Sequence, residues 1–407
     1  MGPLNDIKVL DLSRILAGPW ATQCLADFGA TVWKVEKPGA GDDTRLWGPP
    51  WIKNAKGADT KDAAYFASTN RGKQSLAIDF TKPAGQQLIR ALALRADVFI
   101  ENFKVGTLER YRLGYASLKG VNPRLVYCSI SAYGQDGPAA AEPGYDAMIQ
   151  AVSGLMSITG VPEGKPGAGP VKVGVAVSDL IAGLYAANAI LAALYEREQS
   201  GRGDHIDIAL LDTQVAALAN QALNYLFTGK PPRRQGTAHP NIVPYQAFAT
   251  RDSWLMLAIG NDRQFQAFCA AAGRKTLATD RRFRTNADRV AHRDALIPAV
   301  ARLCKQKTTA AWLKLLASAK VPCGPINNLA EVFEEPQVRH RKLRFTLPHA
   351  RGARLPQVRQ PALFGRSSGV SGVAPPLLGA HTRTVLSDEL GLASDELLSL
   401  LGDGTIA

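Results

Sequence analysis

Apolar strands alternate with helices through the first half of this 407-residue chain, and that alternation limits the fold more than any other feature. Residues 7–10 read as a strand, Gly18-Pro19 opens a helix with proline near its first position, and residues 31–35 read as the next strand. The pattern continues with a helix over 83–95 and strands over 97–101 and 125–130. A long helix over 178–201, a strand over 205–209 and a helix over 211–226 complete it. Units of this kind demand a parallel sheet covered on both faces, because a crossover helix must pass over one face to start the next parallel strand. The expected large domain is α/β and Rossmann-like. It lacks the dinucleotide fingerprint, since no GxGxxG follows the first strand and a nicotinamide cofactor would have no phosphate cradle.

Composition shifts at Thr-Gly-Lys-Pro-Pro-Arg-Arg (228–234), which reads as a linker into a smaller α+β domain with a strand over 254–259 and helices over 264–272, 292–305 and 309–319. The expected division is residues 1–227 as the first part of the large domain, 228–335 as linker and small domain, and 336–407 as a return segment completing the large domain. A Gly/Ser/Pro-rich connector is expected at 365–376.

The net charge of +13 comes largely from residues 336–387, which hold nine Lys or Arg and no Asp or Glu. No aromatic-interleaved basic motif accompanies them, so a field that attracts small anions is the reading adopted over nucleic-acid binding. Cys24, Cys128, Cys269, Cys304 and Cys323 are scattered and nowhere spaced as CxxC. That spacing argues against a zinc site and a disulfide framework and fits a reducing cytoplasm. The longest apolar run, 180–195, is shorter than the ~20 residues of a membrane span.

One residue stands out inside that apolar stretch. Asp179 is separated from the nearest charges at Lys172 and Glu196, and Asp is rarely buried without a partner. Two readings fit: Ser178 or Asp179 caps the helix, or Asp179 is a carboxylate nucleophile at a helix N-terminus, ionised at neutral pH.

Motifs along nearly the whole chain bear on that choice. They are Val-Leu-Asp-Leu-Ser-Arg-Ile-Leu-Ala-Gly-Pro (9–19), Lys-Val-Glu-Lys-Pro-Gly-Ala-Gly-Asp (34–42), Asn-Arg-Gly-Lys-Gln-Ser (70–75), Phe-Ile-Glu-Asn-Phe (99–103), Gly-Tyr-Asp-Ala-Met-Ile-Gln (144–150), Pro-Cys-Gly-Pro-Ile-Asn-Asn (322–328) and Pro-Pro-Leu-Leu-Gly-Ala-His-Thr (375–382). In this order and at these separations they resemble the class III coenzyme A-transferases. The run 39–50 and Gly-Thr-Ala-His-Pro-Asn-Ile-Val-Pro-Tyr-Gln-Ala-Phe (236–248) look most like the succinyl-CoA:glutarate branch.

The resemblance implies a large and a small domain, an interlocked homodimer, and an acyl-carrying role for Asp179. Acyl-CoA and free carboxylic acids would be the partners and substrates, with no permanently bound cofactor, metal, nucleic acid or membrane. Succinyl-CoA with a glutarate-like acceptor leads; itaconate, malate, mesaconate or oxalate as acceptor, or acyl-CoA racemisation, are the alternatives within the family, and a non-catalytic CoA- or nucleic-acid-binding protein is the alternative of another class. CoA contacts are implied for Arg14, Leu16, Ala17, Lys37, Asn102, Phe103 and Arg110, and substrate contacts for Tyr145, Arg45, Arg71, His239 and Gly260. Arg45, Arg71 and His239 are the expected cations for a diacid's far carboxylate, and Gly260-Asn261 the expected oxyanion loop. Related racemases carry His at the position of Tyr145; a phenol with a pKa of about 10 is a poor base for an α-proton, which weighs against racemisation.

Overall fold

Val9 and Leu10, adjacent in β1 (Lys8–Asp11), point to opposite faces of a six-stranded parallel sheet, and both are fully buried. The other strands are β2 (Thr31–Glu36), β3 (Lys73–Ala77), β4 (Val98–Glu101), β5 (Val126–Ser131) and β6 (His205–Ala209). Their order is β6-β5-β4-β1-β2-β3, every neighbouring pair parallel. The computed structural model describes residues 2–352, 354–367 and 369–407; Ser368, inside the connector expected at 365–376, lies outside the described residues.

The helices that bear on the site are α1 (Ala17–Asp27), α2 (Ala64–Thr69), α3 (Pro83–Arg95), α4 (Asp146–Val152), α5 (Val177–Ser200), α6 (Leu210–Ala217) and α7 (Ala219–Thr228). Strand alternation divides the core. Leu10, Trp33, Leu76, Phe99 and Tyr127 pack with Ile89 and Leu92 of α3 and with Leu386 from the C-terminal segment. Val9, Val32, Val98, Val126 and Cys128 pack with Ala21 and Leu25 of α1 and Ala182, Ala186 and Ile190 of α5. With both faces covered, Val9-Leu10 of β1, Val98-Phe99-Ile100 of β4 and Val126-Tyr127-Cys128 of β5 form unbroken apolar runs.

The chain winds outward from β1 in one direction and from β4 in the other, and β1 and β4 are neighbours. Loops leaving their carboxyl ends diverge, which opens a crevice at this switch point. Gly183 lets α1 close on α5 beside it, since a Cβ there would sit 2.5 Å from the Ala17 carbonyl oxygen.

Two compact units result: residues 1–155, 172–230 and 337–407 form the first, 156–171 and 231–336 the second. Residues 156–171, expected in the large domain, therefore pack with the second unit. The first unit takes in the C-terminal segment through the helix Thr382–Leu390 and an antiparallel bridge between Ile78 and Ile406. The second unit is built on an antiparallel sheet of Tyr245–Ala249, Trp254–Ala258 and Cys323–Pro325, with Phe265, Phe268 and Trp312 in its core.

Three local expectations change. The helix expected over 211–226 is two helices, α6 and α7, broken where Ala219 takes a φ of 46°. Strand β3 carries buried Lys73 and Ser75, polar residues that hide a strand from hydropathy. The apolar run judged too short for a membrane lies in the 24-residue α5, whose length and hydropathy suffice for a span, with Ala182, Ala186 and Ile190 fully buried.

Candidate active site

Asp179 occupies the first turn of α5, half-buried, and it is not the cap. The N-cap position is Ala176, which has no side-chain acceptor to offer. Another helix supplies the acceptor instead: the Ser178 amide donates to Asp146 Oδ1 at 2.8 Å, and the Ser178 hydroxyl donates to Gln214 Oε1 at 2.8 Å. Asp146 Oδ2 also accepts from Gln150 Nε2 at 2.7 Å, and Gln150 Oε1 accepts from the Val173 amide at 2.8 Å. The Asp179 carboxylate is thus left with no hydrogen bond or ion pair to any described residue. Burial, and secondarily the charge of Asp146, push its carboxyl up to about 7. The sequence reading of a fully ionised aspartate is corrected accordingly: near neutrality the two protonation states coexist.

The crevice after β1 and β4 forms a cavity of about 250 Å³, and Asp179 is on its wall with Arg14, Leu16, Ala17, Asn102, Phe103, Lys104 and Tyr145. Asn102 stitches the crevice together: its Oδ1 accepts from the Arg14 amide and its Nδ2 donates to the Arg14 carbonyl, both at 2.7 Å. Next to it Ile15 takes a φ of 70°, a strained conformation for a β-branched residue. Its amide donates to Asp42 Oδ2 at 3.2 Å, and Asp42 in turn is paired with buried Lys34 at 2.9 Å. Helix α1 then starts at the cavity with no side-chain cap and no acidic residue in its first turn, so its amides face anionic groups favourably.

Lys37 lies on a second cavity of about 430 Å³, whose wall also includes Arg14 and Phe103. Arg110 is exposed on a short helical turn and reaches neither cavity wall. Tyr145 is 65% exposed at the start of α4, more open than the half-buried aromatic expected.

The expected carboxylate-binding cations are corrected. Arg45 is 3% exposed and its donors are used: Nε and Nη2 on Glu36 at 2.7 Å each, Nη1 on Asp62 at 3.0 Å, Nη2 again on the Pro376 carbonyl, with the guanidinium over the Phe66 ring. Arg71 grips Asp27 through Nε at 2.9 Å and Nη2 at 2.6 Å and reaches Gln357 through Nη1. Both are structural. His239, in the second unit, accepts the Asn241 amide at Nδ1, and burial together with Arg293 holds its imidazole below the ordinary histidine range. That shift favours the neutral imidazole and weighs against a cation at this position. The Gly260 amide is taken by Gln264 Oε1 at 2.8 Å, and the Asn261 side chain caps the helix Asp262–Ala271, so the expected oxyanion loop presents occupied groups.

Sequence reasoning missed Asp146, Lys104 and Tyr65. Asp146 stood inside a quoted motif, but its tie to Ser178 spans 32 residues and leaves no local trace. Tyr65 of α2 packs edge-on against Trp47 and has its phenol pushed up by burial and by the charges of Asp179, Asp146 and Asp42, which places it in the same electrostatic neighbourhood.

Comparison with known proteins identifies the family. The model of the CoA-transferase family III matches residues 4–382. A succinate–glutarate CoA-transferase of Agrobacterium fabrum is 48% identical over 95% of this chain and 95% of its own length. A succinyl-CoA:glutarate CoA-transferase of Mus musculus is 42% identical over 100% of this chain and 91% of its own. The crystal structure of a CaiB/BaiF family protein from Brucella suis superposes with a TM-score of 0.83 at 45% identity, over 95% of this chain and 99% of that one. With a family match spanning the crevice, the Asp179 turn and the second unit alike, this chain belongs to CoA-transferase family III.

Proposed function

We propose that this enzyme moves CoA from succinyl-CoA to a second dicarboxylic acid of the glutarate type, with Asp179 as the covalent carrier. The observation that carries the reading is a single unpaired carboxylate on the first turn of α5, open to the cavity at the switch point of the sheet. Asp179 attacks the thioester carbonyl, the C–S bond breaks, and CoA leaves as its thiolate from a mixed anhydride. The thiolate returns to the Asp179 carbonyl and succinate departs. The acceptor carboxylate then attacks the aspartyl-CoA thioester, and the thiolate finally takes the acceptor acyl group and frees Asp179. Each step is carried by an anionic nucleophile, Asp179 acting in its ionised form, so the site needs oxyanion donors and no general base. The uncapped start of α1 is the group of amides on the cavity that suits this role.

Lys104, and Arg14 in its exposed ion pair with Asp43 at 3.0 Å, are the cations on that cavity wall and are read as partners of the substrates' anionic groups, in place of the buried Arg45 and Arg71 and of His239. Leu16, Ala17, Asn102 and Phe103 shape the wall around the thioester, while Lys37 on the neighbouring cavity suits a CoA phosphate. The names of the relatives at 48% and 42% identity support succinyl-CoA and glutarate as the pair. Tyr145, in place of a basic histidine, argues against racemisation.

Exposed apolar side chains on α5 and α7, Tyr185, Leu226 at 71% exposure and Phe227 at 86% among them, support a homodimer; sedimentation of the purified chain reads its mass. The free cysteines support a reducing cytoplasm as its location, which cell fractionation checks.

The substrate assignment is tested by offering succinyl-CoA with glutarate, itaconate, malate, mesaconate, oxalate or butyrate. Glutarate should give the highest kcat/KM and butyrate a value lower by about 100-fold or more, the cost of leaving a site's charge without its partner. Equal use of butyrate and glutarate would sink the dicarboxylate assignment and leave the transferase standing.

A further inference from the structure

We propose that Asp146 is a positioning residue for the covalent carrier, fixing the Asp179 turn through the Ser178 amide and presenting a second negative charge that acylation of Asp179 relieves. This rests on Asp179 being the nucleophile.

The geometry comes first. A helix start without a side-chain cap frays, because its first amides lack partners. In α5 the missing acceptor is delivered from α4, and the delivery is rigid: Asp146 uses one oxygen on the Ser178 amide and the other on Gln150, which itself clamps the Val173 amide on the segment entering α5. Ser178, fully buried, is also held from α6 by Gln214. Asp179 is the next residue, so both ties bear directly on where its carboxylate points.

Charge comes second. The N-terminus of a helix stabilises an anion and would by itself make Asp179 a weaker nucleophile. Burial opposes that effect most strongly and the charge of Asp146 reinforces the opposition, so the carboxyl is raised to about 7. The other titratable or charged groups facing this turn are Arg14 ahead of α1, Lys104 after β4, Glu142 and Tyr145 at the entry to α4, and Tyr65 of α2. From α6 comes Gln214, with Asp212 of the same helix exposed, and α1 meets α5 through Ala17 and Trp20, neither of which is charged. When Asp179 attacks the thioester, the C–S bond breaks and the negative charge passes from its carboxylate to the CoA sulfur. The repulsion from Asp146 is then gone, which favours the acylated enzyme over the free carboxylate.

The test compares wild type, Asp146→Asn, Asp146→Glu and Asp146→Ser in two measurements. One is the pH dependence of kcat/KM for succinyl-CoA; the other is the fraction of enzyme carrying an Asp179 adduct after mixing with succinyl-CoA alone, read by mass spectrometry of the intact chain and its peptides. Asn keeps an acceptor for the Ser178 amide and removes the charge, and Ser repeats that substitution should Asn fail to fold. The acid limb, near pH 7 in wild type, should move acidward by roughly half a pH unit or more in the neutral variants, and the adduct fraction should fall several-fold. Asp146→Glu should keep the limb close to its wild-type position. If Asn or Ser folds and leaves both the limb and the adduct fraction unchanged, Asp146 is a cap and nothing more, and the inference is overturned. If wild type itself forms no adduct on Asp179, the nucleophile assignment fails first, a result distinguishable because it appears before any variant is made.

Discussion

Two groups of buried carboxylates lie within the first unit, and they are treated in opposite ways. Beneath the loop after β1, Asp11 is paired with Lys73, Asp42 with Lys34, and Glu36 and Asp62 share Arg45. Burial alone would push the Asp42 carboxyl up, but Lys34 and the Thr44 hydroxyl and amide outweigh it and hold it below the usual carboxylate range. Asp11 is likewise held down, against its own burial, by Lys73, Lys34 and the Ser13 and Thr22 hydroxyls. On the first turn of α5 Asp179 has no ion-pair partner among the described residues, and burial, with the charge of Asp146 added to it, raises its carboxyl. Paired charges in the interior set shape: this network pins strained Ile15 and the walls of the crevice. A half-buried carboxylate left without a partner is destabilised as an anion, and reaction with an acyl group removes that charge.

The comparison breaks most directly at Asp179. Replacing it with Ala should lower turnover of succinyl-CoA with glutarate by roughly 10³-fold or more while the protein stays folded and still binds CoA. A variant retaining more than about a tenth of wild-type activity would end the covalent assignment, since loss of a nucleophile costs orders of magnitude.

Arg45→Ala probes the other group. Removing one partner of a buried ion pair costs roughly 3–5 kcal/mol, so urea unfolding should show a loss of that size. The ratio of KM values for glutarate and butyrate should stay as in wild type. A selective rise in the glutarate KM without loss of stability would mean that Arg45 leaves Glu36 and Asp62 to meet substrate.

A smaller effect separates the two groups by sign. Asp179 binds its proton more tightly in the folded chain, at about 7, than an ordinary aspartate does in an unfolded one. The stability this supplies is complete below the unfolded value and is lost as pH rises through about 7. Asp179→Asn, which never ionises, should therefore melt a few degrees above wild type at pH 8, and the gain should vanish near pH 4. Asp11 and Asp42, held down in the folded chain, contribute in the opposite sense: their stabilisation is present above the ordinary carboxylate pKa and lost on acidification. Thermal melts across pH read both signs, and an Asp179→Asn gain that ignored pH would point to packing and not to charge.

What sequence alone determined here is whatever rests on neighbours in the chain. The strand–helix alternation identifies β1, β2, β4, β5 and β6 and with them a parallel sheet, because burial leaves a short, largely apolar run in the inner strands and alternating Ile206 and Ile208 in edge strand β6. The isolation of Asp179 is equally local, being a property of its flanking residues. Pairing over long separations was decided only by the tertiary structure. Arg45 reads as a free cation in a polar motif until Glu36, Asp62 and Pro376 converge on it from 9, 17 and 331 positions away, and Arg71 until Asp27 arrives from 44. The acceptor for the Ser178 amide likewise comes from another helix. An ionisable side chain has the same sequence signature whether it is paired or not; its charge state and its freedom to act depend on which groups folding brings within a few ångströms, and on how much water is left beside it.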